Sequence, residues 1–366
     1  MWNDLKPAYR YPVLILGMLS LVTGVLAGIG RLGTQVPVFA LEQIANHGVL
    51  MVPSFFGTVI GLERAVAIGQ RWAYIAPLLT GIGGGAFLLG IAPGIALMLL
   101  ISGSFVFLLA SFQVLRIQQA AHNWMLVIAA ICLFTGNIQL FDQNSINQVI
   151  YWWMAFLLLT IAGERLELSR LVVQDNRKRI LLVLLSTLPV IGIATSSISG
   201  YQAGIIIFAA GNITIAIWLL LFDIARRTVL LSGLTRFTAI SMLAGYVWLL
   251  ISAVLLVGFE FEWNHISRDS VLHSFFLGFV FSMVIGHALI IFPAVTGLTI
   301  PYSSVLYLPL ILLQLSLLLR ISADLSDNMG LLKQSGIANG IAIAIFIATL
   351  LWRIANGFKP RTQHQV

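Results

Sequence analysis

Charge is the first thing this sequence lacks. Only 9% of its 366 residues are Asp, Glu, Lys or Arg, against about a quarter in a soluble domain, while 59% are hydrophobic. A chain so poor in charge cannot clothe a water-facing surface of this size, so it reads as an integral membrane protein. Cysteine is nearly missing too. Cys132 stands alone, which excludes an internal disulfide and a Cys-Cys metal site, and no Cys-x-x-Cys-His is present for covalent attachment of a c-type haem. No phosphate-binding loop, nucleophile triad or nucleic-acid module is readable. The net charge of +7 arises from basic residues spread over loops, a pattern of membrane topology rather than of nucleic-acid binding. Residues 1–10 are polar and mixed in charge, and no small-residue cleavage site follows in residues 11–30. The first apolar segment is therefore expected to be retained.

What the chain has in abundance is apolar runs long enough to cross a bilayer. Spans are predicted near 12–30, 44–69, 73–91, 94–116, 122–141, 147–169, 180–198, 202–225, 236–258, 268–297, 303–322 and 333–356. The fold class expected is an all-α integral membrane protein of about twelve transmembrane helices, a single polytopic domain over residues 1–366. The weakest division is between the third and fourth spans, where Ala92-Pro93-Gly94 is the only break. Glycine is frequent, as in Gly81-Ile82-Gly83-Gly84-Gly85, and lets helices approach closely.

Orientation follows from the basic residues. With the N-terminus in the cytoplasm, the inner loops and tail collect Arg71, Arg116, Arg165, Arg170, Arg177, Lys178, Arg179, Arg226, Arg227, Arg236, Arg353, Lys359 and Arg361. The outer loops hold Asp142, Glu260, Glu262, Asp269, Asp324 and Asp327, with only Arg31, Arg268 and Lys333 as basic residues. This positive-inside bias predicts a multi-pass protein of a bacterial inner membrane with both termini cytoplasmic.

Of six histidines, two share a placement. His47, in Asn46-His47-Gly48-Val49-Leu50-Met51, lies about one turn inside the second span, and His273, in Leu272-His273-Ser274-Phe275-Phe276, about one turn inside the tenth. Both spans run from outside to inside, so the imidazoles share a depth. An imidazole in hydrocarbon needs a partner, and two at matched depth on separate helices suggest a haem b held by both. Gly48 and Gly278 would leave room for a porphyrin; Phe55, Phe56, Phe275, Phe276 and Phe279 would pack against it. Arg31 and Arg268, at the outer mouth, would pair with its propionates. The alternative is that each histidine hydrogen-bonds a neighbouring helix and holds no iron.

The remaining histidines are read more conservatively. His364 lies in the polar tail, and His265 beside Trp263 in an outer loop reads as interfacial. His122 reads as a helix-start anchor. His287 follows His273 by fourteen residues, facing nearly the same way and roughly 20 Å deeper. A packing or hydrogen-bonding role ranks first for it; a second metal or haem site, with His122 as partner, and a proton relay are the alternatives. Glu63 in Glu63-Arg64 and Glu164 in Glu164-Arg165 lie about as deep as His287, and the three together would form a cluster for a metal or for proton uptake. On an ideal helix Glu63 falls about 160° from His47, which argues against the cluster unless Pro53 bends the helix. Structural ion pairs with the adjacent arginines are the preferred reading.

The helix count, the cytoplasmic N-terminus and His47-Gly48-Val49-Leu50-Met51 near the outer start of the second helix resemble subunit I of the haem–copper oxidase superfamily, where His-Gly-x-x-Met follows this pattern. The resemblance implies a low-spin haem whose second ligand, near the outer start of the tenth helix, corresponds to His273. The chain departs from that family at the copper site. The sixth span, with Tyr151-Trp152-Trp153-Met154-Ala155, has no histidine, the seventh has none, the tenth lacks His-x-His, and the arginine pair before the last helix is missing. Reduction of oxygen or nitric oxide at a haem–copper centre is therefore not expected. What remains is similar to the NnrS-type membrane proteins, haem- and copper-containing relatives linked to nitric oxide stress, whose own histidine motifs the chain does not clearly carry.

The expected function is that of a haem-b membrane protein in electron transfer or nitric oxide response, with a quinol or periplasmic electron carrier as partner. A secondary transporter is the first alternative, although no six-plus-six repeat is readable and the charged residues collect at helix ends. A non-catalytic membrane subunit or assembly factor is the second.

Overall fold

The computed structural model describes residues 4–143, 145–168, 176–198, 200–263 and 266–357. Arg170, His265, Lys359, Arg361 and His364 lie outside the described residues. Among those described, all regular structure is helical, and eleven helices are long and apolar enough to cross a membrane. They are α1 (Pro7–Arg31), α2 (Ile44–Ile68), α4 (Pro93–Ile117), α5 (Ala121–Gln143), α6 (Ile146–Leu168), α7 (Asn176–Ser196), α8 (Tyr201–Phe222), α9 (Gly233–Glu260), α10 (Arg268–Thr296), α11 (Ser304–Leu325) and α12 (Met329–Asn356). The third predicted span is a shorter helix, α3 (Ile75–Leu88), entered through one tight turn at Arg71–Tyr74. The chain is thus an all-helical protein of the multi-pass membrane type.

Local chemistry accounts for several boundaries. α1 and α4 start with Pro7 and Pro93 in their first turn, where the missing N–H is no loss. α7 is interrupted at Ser186, between Asn176–Leu185 and Thr187–Ile198. Pro189 causes this, because it cannot donate to the Leu185 carbonyl and crowds it. α2 and α10 both end on a left-handed glycine, Gly69 at φ +67° and Gly297 at φ +73°, whose N–H caps the last turn.

Successive helices pack side by side along the chain, and α1 returns to touch α10 and α12. That return is fastened by Arg10, which donates to the carbonyls of Ala294 and Val295 at 3.3 and 3.1 Å and pairs with Asp4 at 2.6 Å. The three most enclosed helices are α6, α2 and α10, with 78%, 72% and 61% of their apolar windows buried. Most of the surface of these three helices is turned to protein. Polar residues on these three therefore point at protein or at cavities.

Candidate functional site

α2 and α10 reach the centre of the molecule by the same local design. α2 opens with a tight turn at Ile44–Asn46, is α-helical at His47–Val49, widens to a π-helical stretch at Leu50–Phe56 and returns to α-helix at Gly57–Ile68. α10 is α-helical at Arg268–His273, π-helical at Ser274–Phe281 and α-helical again at Ser282–Thr296. Each histidine stands just before its wide stretch, a kind of distortion that concentrates at functional sites. In α2 the cause is Pro53, which has no N–H for the Val49 carbonyl and would collide with it in an α-turn. No proline accounts for the stretch in α10.

The two imidazoles come together, with ring centroids 6.4 Å apart and planes 19° from parallel. Each is oriented through Nδ1. That of His47 meets the Gly24 carbonyl of α1 at 2.6 Å. That of His273 meets the Asp269 carbonyl at 2.9 Å and Asp269 Oδ1 at 3.1 Å. A carbonyl can only accept, so both rings carry their proton on Nδ1 and, when neutral, an exposed lone pair on Nε2. Among the described residues no hydrogen bond reaches either Nε2.

Backing groups hold both rings. α1 presents Gly28 to His47, and a Cβ there would sit 2.7 Å from the ring's Cε1. Behind His273, Asp269 receives a two-pronged bond from Arg320 of α11, at 2.7 Å from Nε and 2.8 Å from Nη2. The start of α10 is locked to α11 a second time by Asp324. Its Oδ2 accepts from the Ser267 hydroxyl at 2.6 Å, the Ser267 N–H at 3.1 Å and the Ser270 hydroxyl at 2.6 Å.

The centroid spacing is close to what two imidazoles would need to share one metal ion. A metal–imidazole bond is about 2.0 Å and the ring nitrogen lies about 1.1 Å from the centroid, so two imidazoles sharing one metal place their centroids roughly 6 Å apart. A histidine whose Nδ1–H is fixed by a carbonyl or carboxylate is the usual form of a metal ligand, since that bond sets the tautomer and raises the basicity of the other nitrogen.

The other residues singled out in the sequence take varied positions. Arg268 donates to Asn147 Oδ1 at 2.6 Å and to the Asn147 carbonyl, and lies over the Tyr151 ring, so it ties α10 to α6. Arg31 is exposed at the end of α1. At Gly48 a Cβ would make ordinary van der Waals contact, with Ile146 at 3.7 Å and Trp153 at 3.9 Å. Gly278 differs, because a Cβ there would meet Trp248 at 2.5 Å; its role is to admit that indole from α9. Phe55 and Phe56 pack against Phe281, while Phe275 packs against Phe276 and Phe279.

Toward the other end of the same helices, Glu63, Glu164 and His287 line one cavity. The π-helical stretch re-aims the lower half of α2, which is why Glu63 arrives there against the ideal-helix count. The expected ion pairs with neighbouring arginines do not form. Neither Glu63 nor Glu164 makes an ion pair among the described residues, and Arg165 turns instead to His287 Nε2 at 3.0 Å and Met242 Sδ at 3.3 Å. His287 Nδ1 donates to the Met283 carbonyl at 2.8 Å, so both its ring nitrogens are engaged. Among the described residues no three His, Cys, Asp or Glu side chains converge as a metal site would need. His122 is buried on α5, with Nε2 3.8 Å from Glu167 Oε1.

Several residues of the histidine site escaped sequence reasoning. Gly24 and Gly28 carry a readable signal, a Gly-x-x-x-Gly spacing in α1 that permits close helix approach. Arg320 does too, as an arginine inside an apolar run. The link from Arg320 to Asp269 crosses 51 residues and has no local signature.

Fold and site together define a class: a multi-pass helical protein in which two of the most buried helices bring a pair of histidine rings within 6.4 Å of each other. The chain belongs to the family described as Domain of unknown function (DUF8744), whose model matches residues 10–355. Comparison with curated proteins finds no match.

Proposed function

We propose that this chain holds one low-spin haem b between His47 and His273 and serves in electron transfer or in the response to nitric oxide. The observation that supports it most is the 6.4 Å separation of two rings whose Nδ1 atoms are both already committed. A haem bound there would supply one-electron redox chemistry. His47 and His273 would ligate through Nε2. The Gly24 carbonyl and the Asp269 carboxylate keep the Nδ1 protons in place, and Arg320 holds Asp269 in position. Arg31 would be free to pair with a propionate, and Arg268 would do so only by leaving Asn147.

The distribution of basic residues supports a bacterial inner membrane, cytoplasmic termini and a histidine pair near the outer face. The matched histidines and the helix order support a bundle like that of haem–copper oxidase subunit I, without the copper-site histidines. A quinol or a periplasmic electron carrier would be the redox partner. The test is an optical spectrum of the purified protein, oxidised and then reduced. A Soret band with sharp reduced-state bands, lost in both His47→Ala and His273→Ala, is the expected result; a colourless protein refutes the reading.

A further inference from the structure

The cavity beyond Phe55, Phe56 and Phe281 has a chemistry of its own. Its volume is about 340 Å³, within the range of small-molecule sites. One end is polar, formed by Glu63 of α2, Glu164 and Arg165 of α6, and His287 of α10. The rest is almost wholly apolar and runs between α1 and α12, past Met18 and Leu350, to Ile15 and Leu351. Those two are 56% and 60% exposed, so the apolar end opens onto the lipid-facing surface of the bundle.

The shape asks for a molecule with a long apolar tail and a compact polar head, entering from lipid. The charges at the polar end decide which head. Two carboxyl groups face it without ion-pair partners among the described residues, which disfavours a fatty acid or a phosphate. The guanidinium of Arg165, bonded to His287 at 3.0 Å, stands at the same end and disfavours a cationic head. A neutral head that both donates and accepts hydrogen bonds suits the two carboxyl groups and the guanidinium, His287 being already engaged at both nitrogens. Phenolic hydroxyls would do both, donating to the carboxyl groups and accepting from the guanidinium.

We infer that this cavity is a binding site for a lipid-soluble quinol, with its hydroxyl-bearing head against Glu164, Glu63 and Arg165 and the tail leaving between α1 and α12. The site stands whether or not His47 and His273 hold iron.

The test uses the full-length protein in phosphatidylcholine nanodiscs, titrated calorimetrically and anaerobically with a decyl-tailed benzoquinol. Saturable binding of one molecule per chain is expected. Glu164→Leu, which removes the polar contact, and Leu350→Trp, which fills the tail channel, should each weaken it at least tenfold. Leu350 lies near the lipid-facing side, so its variant carries the test even if Glu164→Leu fails to fold. Equal affinity in wild type and Leu350→Trp would overturn the proposal. So would decylbenzene, decanoate or decyltrimethylammonium binding as tightly as the quinol. Haem content read from the absorption spectrum of the same samples reports on the histidine pair separately, so one reading can fail without the other.

Discussion

Asp269 stands between His273 and Arg320, 3.1 Å from the Nδ1 of one and 2.7 Å from the Nε of the other. It is at once the orienting group for a ring and the counter-ion for an arginine that is only 5% exposed. This double duty makes it the most informative position near the histidine pair. In Asp269→Asn the amide still meets the ring but no longer neutralises the guanidinium. Haem affinity is expected to fall roughly 10- to 100-fold, and the protein should lose about 2 kcal/mol of stability through the unpaired arginine. Haem titration and thermal unfolding in detergent measure the two effects. Arg320→Lys, which cannot make the two-pronged bond, should show the same signs at smaller size.

The two proposed ligands are separable by substitution. His47→Ala and His273→Ala should each abolish the low-spin spectrum, since one imidazole cannot complete the axial pair. His273→Met should keep a haem whose reduction potential is higher by roughly 0.1 V or more, because thioether ligation raises it. Spectroelectrochemistry of the purified variants checks the shift.

α1 acts as the wall behind His47. A methyl at position 28 would lie 2.7 Å from the ring's Cε1 and 3.0 Å from Nδ1, with no flexible end to yield. Gly28→Ala is therefore expected to push the ring off the Gly24 carbonyl and cut haem occupancy. At position 24 a methyl would meet Met51 Sδ at 2.8 Å, and a methionine can turn aside. Gly24→Ala should cost stability, about 1 kcal/mol from crowding, with occupancy largely kept. Comparing the haem-to-protein ratio of the two variants distinguishes a wall from a general packing surface.

His287 provides a count of cofactors. Both its ring nitrogens are engaged, by Met283 and by Arg165. One haem per chain is expected by pyridine haemochrome analysis, and His287→Ala should leave that ratio unchanged. The same variant strands Arg165 and should lower stability by about 2 kcal/mol. A ratio of two, falling to one in His287→Ala, would assign this histidine to a second centre.

Much of the architecture was legible in the chain because hydropathy is a local property. Segments such as Pro93–Ile117 and Gly233–Glu260 announce themselves by length and composition, whatever surrounds them. The third span was harder to delimit, since its apolar run extends beyond the short helix Ile75–Leu88. Helix direction and depth were also countable, so His47 and His273 could be paired from their positions alone.

Side-chain direction was not countable in the same way. The 160° separation of Glu63 from His47 assumed an ideal helix, and the π-helical stretch around Pro53 removed that assumption. The adjacent Glu164-Arg165 suggested an ion pair, yet consecutive residues on a helix face different ways, and Arg165 found His287 across the bundle.

The sequence by itself determined the class of protein, the approximate spans and the two histidines worth watching, because the cost of placing polar groups in hydrocarbon acts residue by residue. Only the tertiary structure decided that the rings lie 6.4 Å apart with Gly24 and Asp269 on their Nδ1 atoms. Those contacts join residues from helices far apart in the chain, and their geometry depends on how each helix is wound, on where glycine lets backbones close in, and on which buried charge finds which partner.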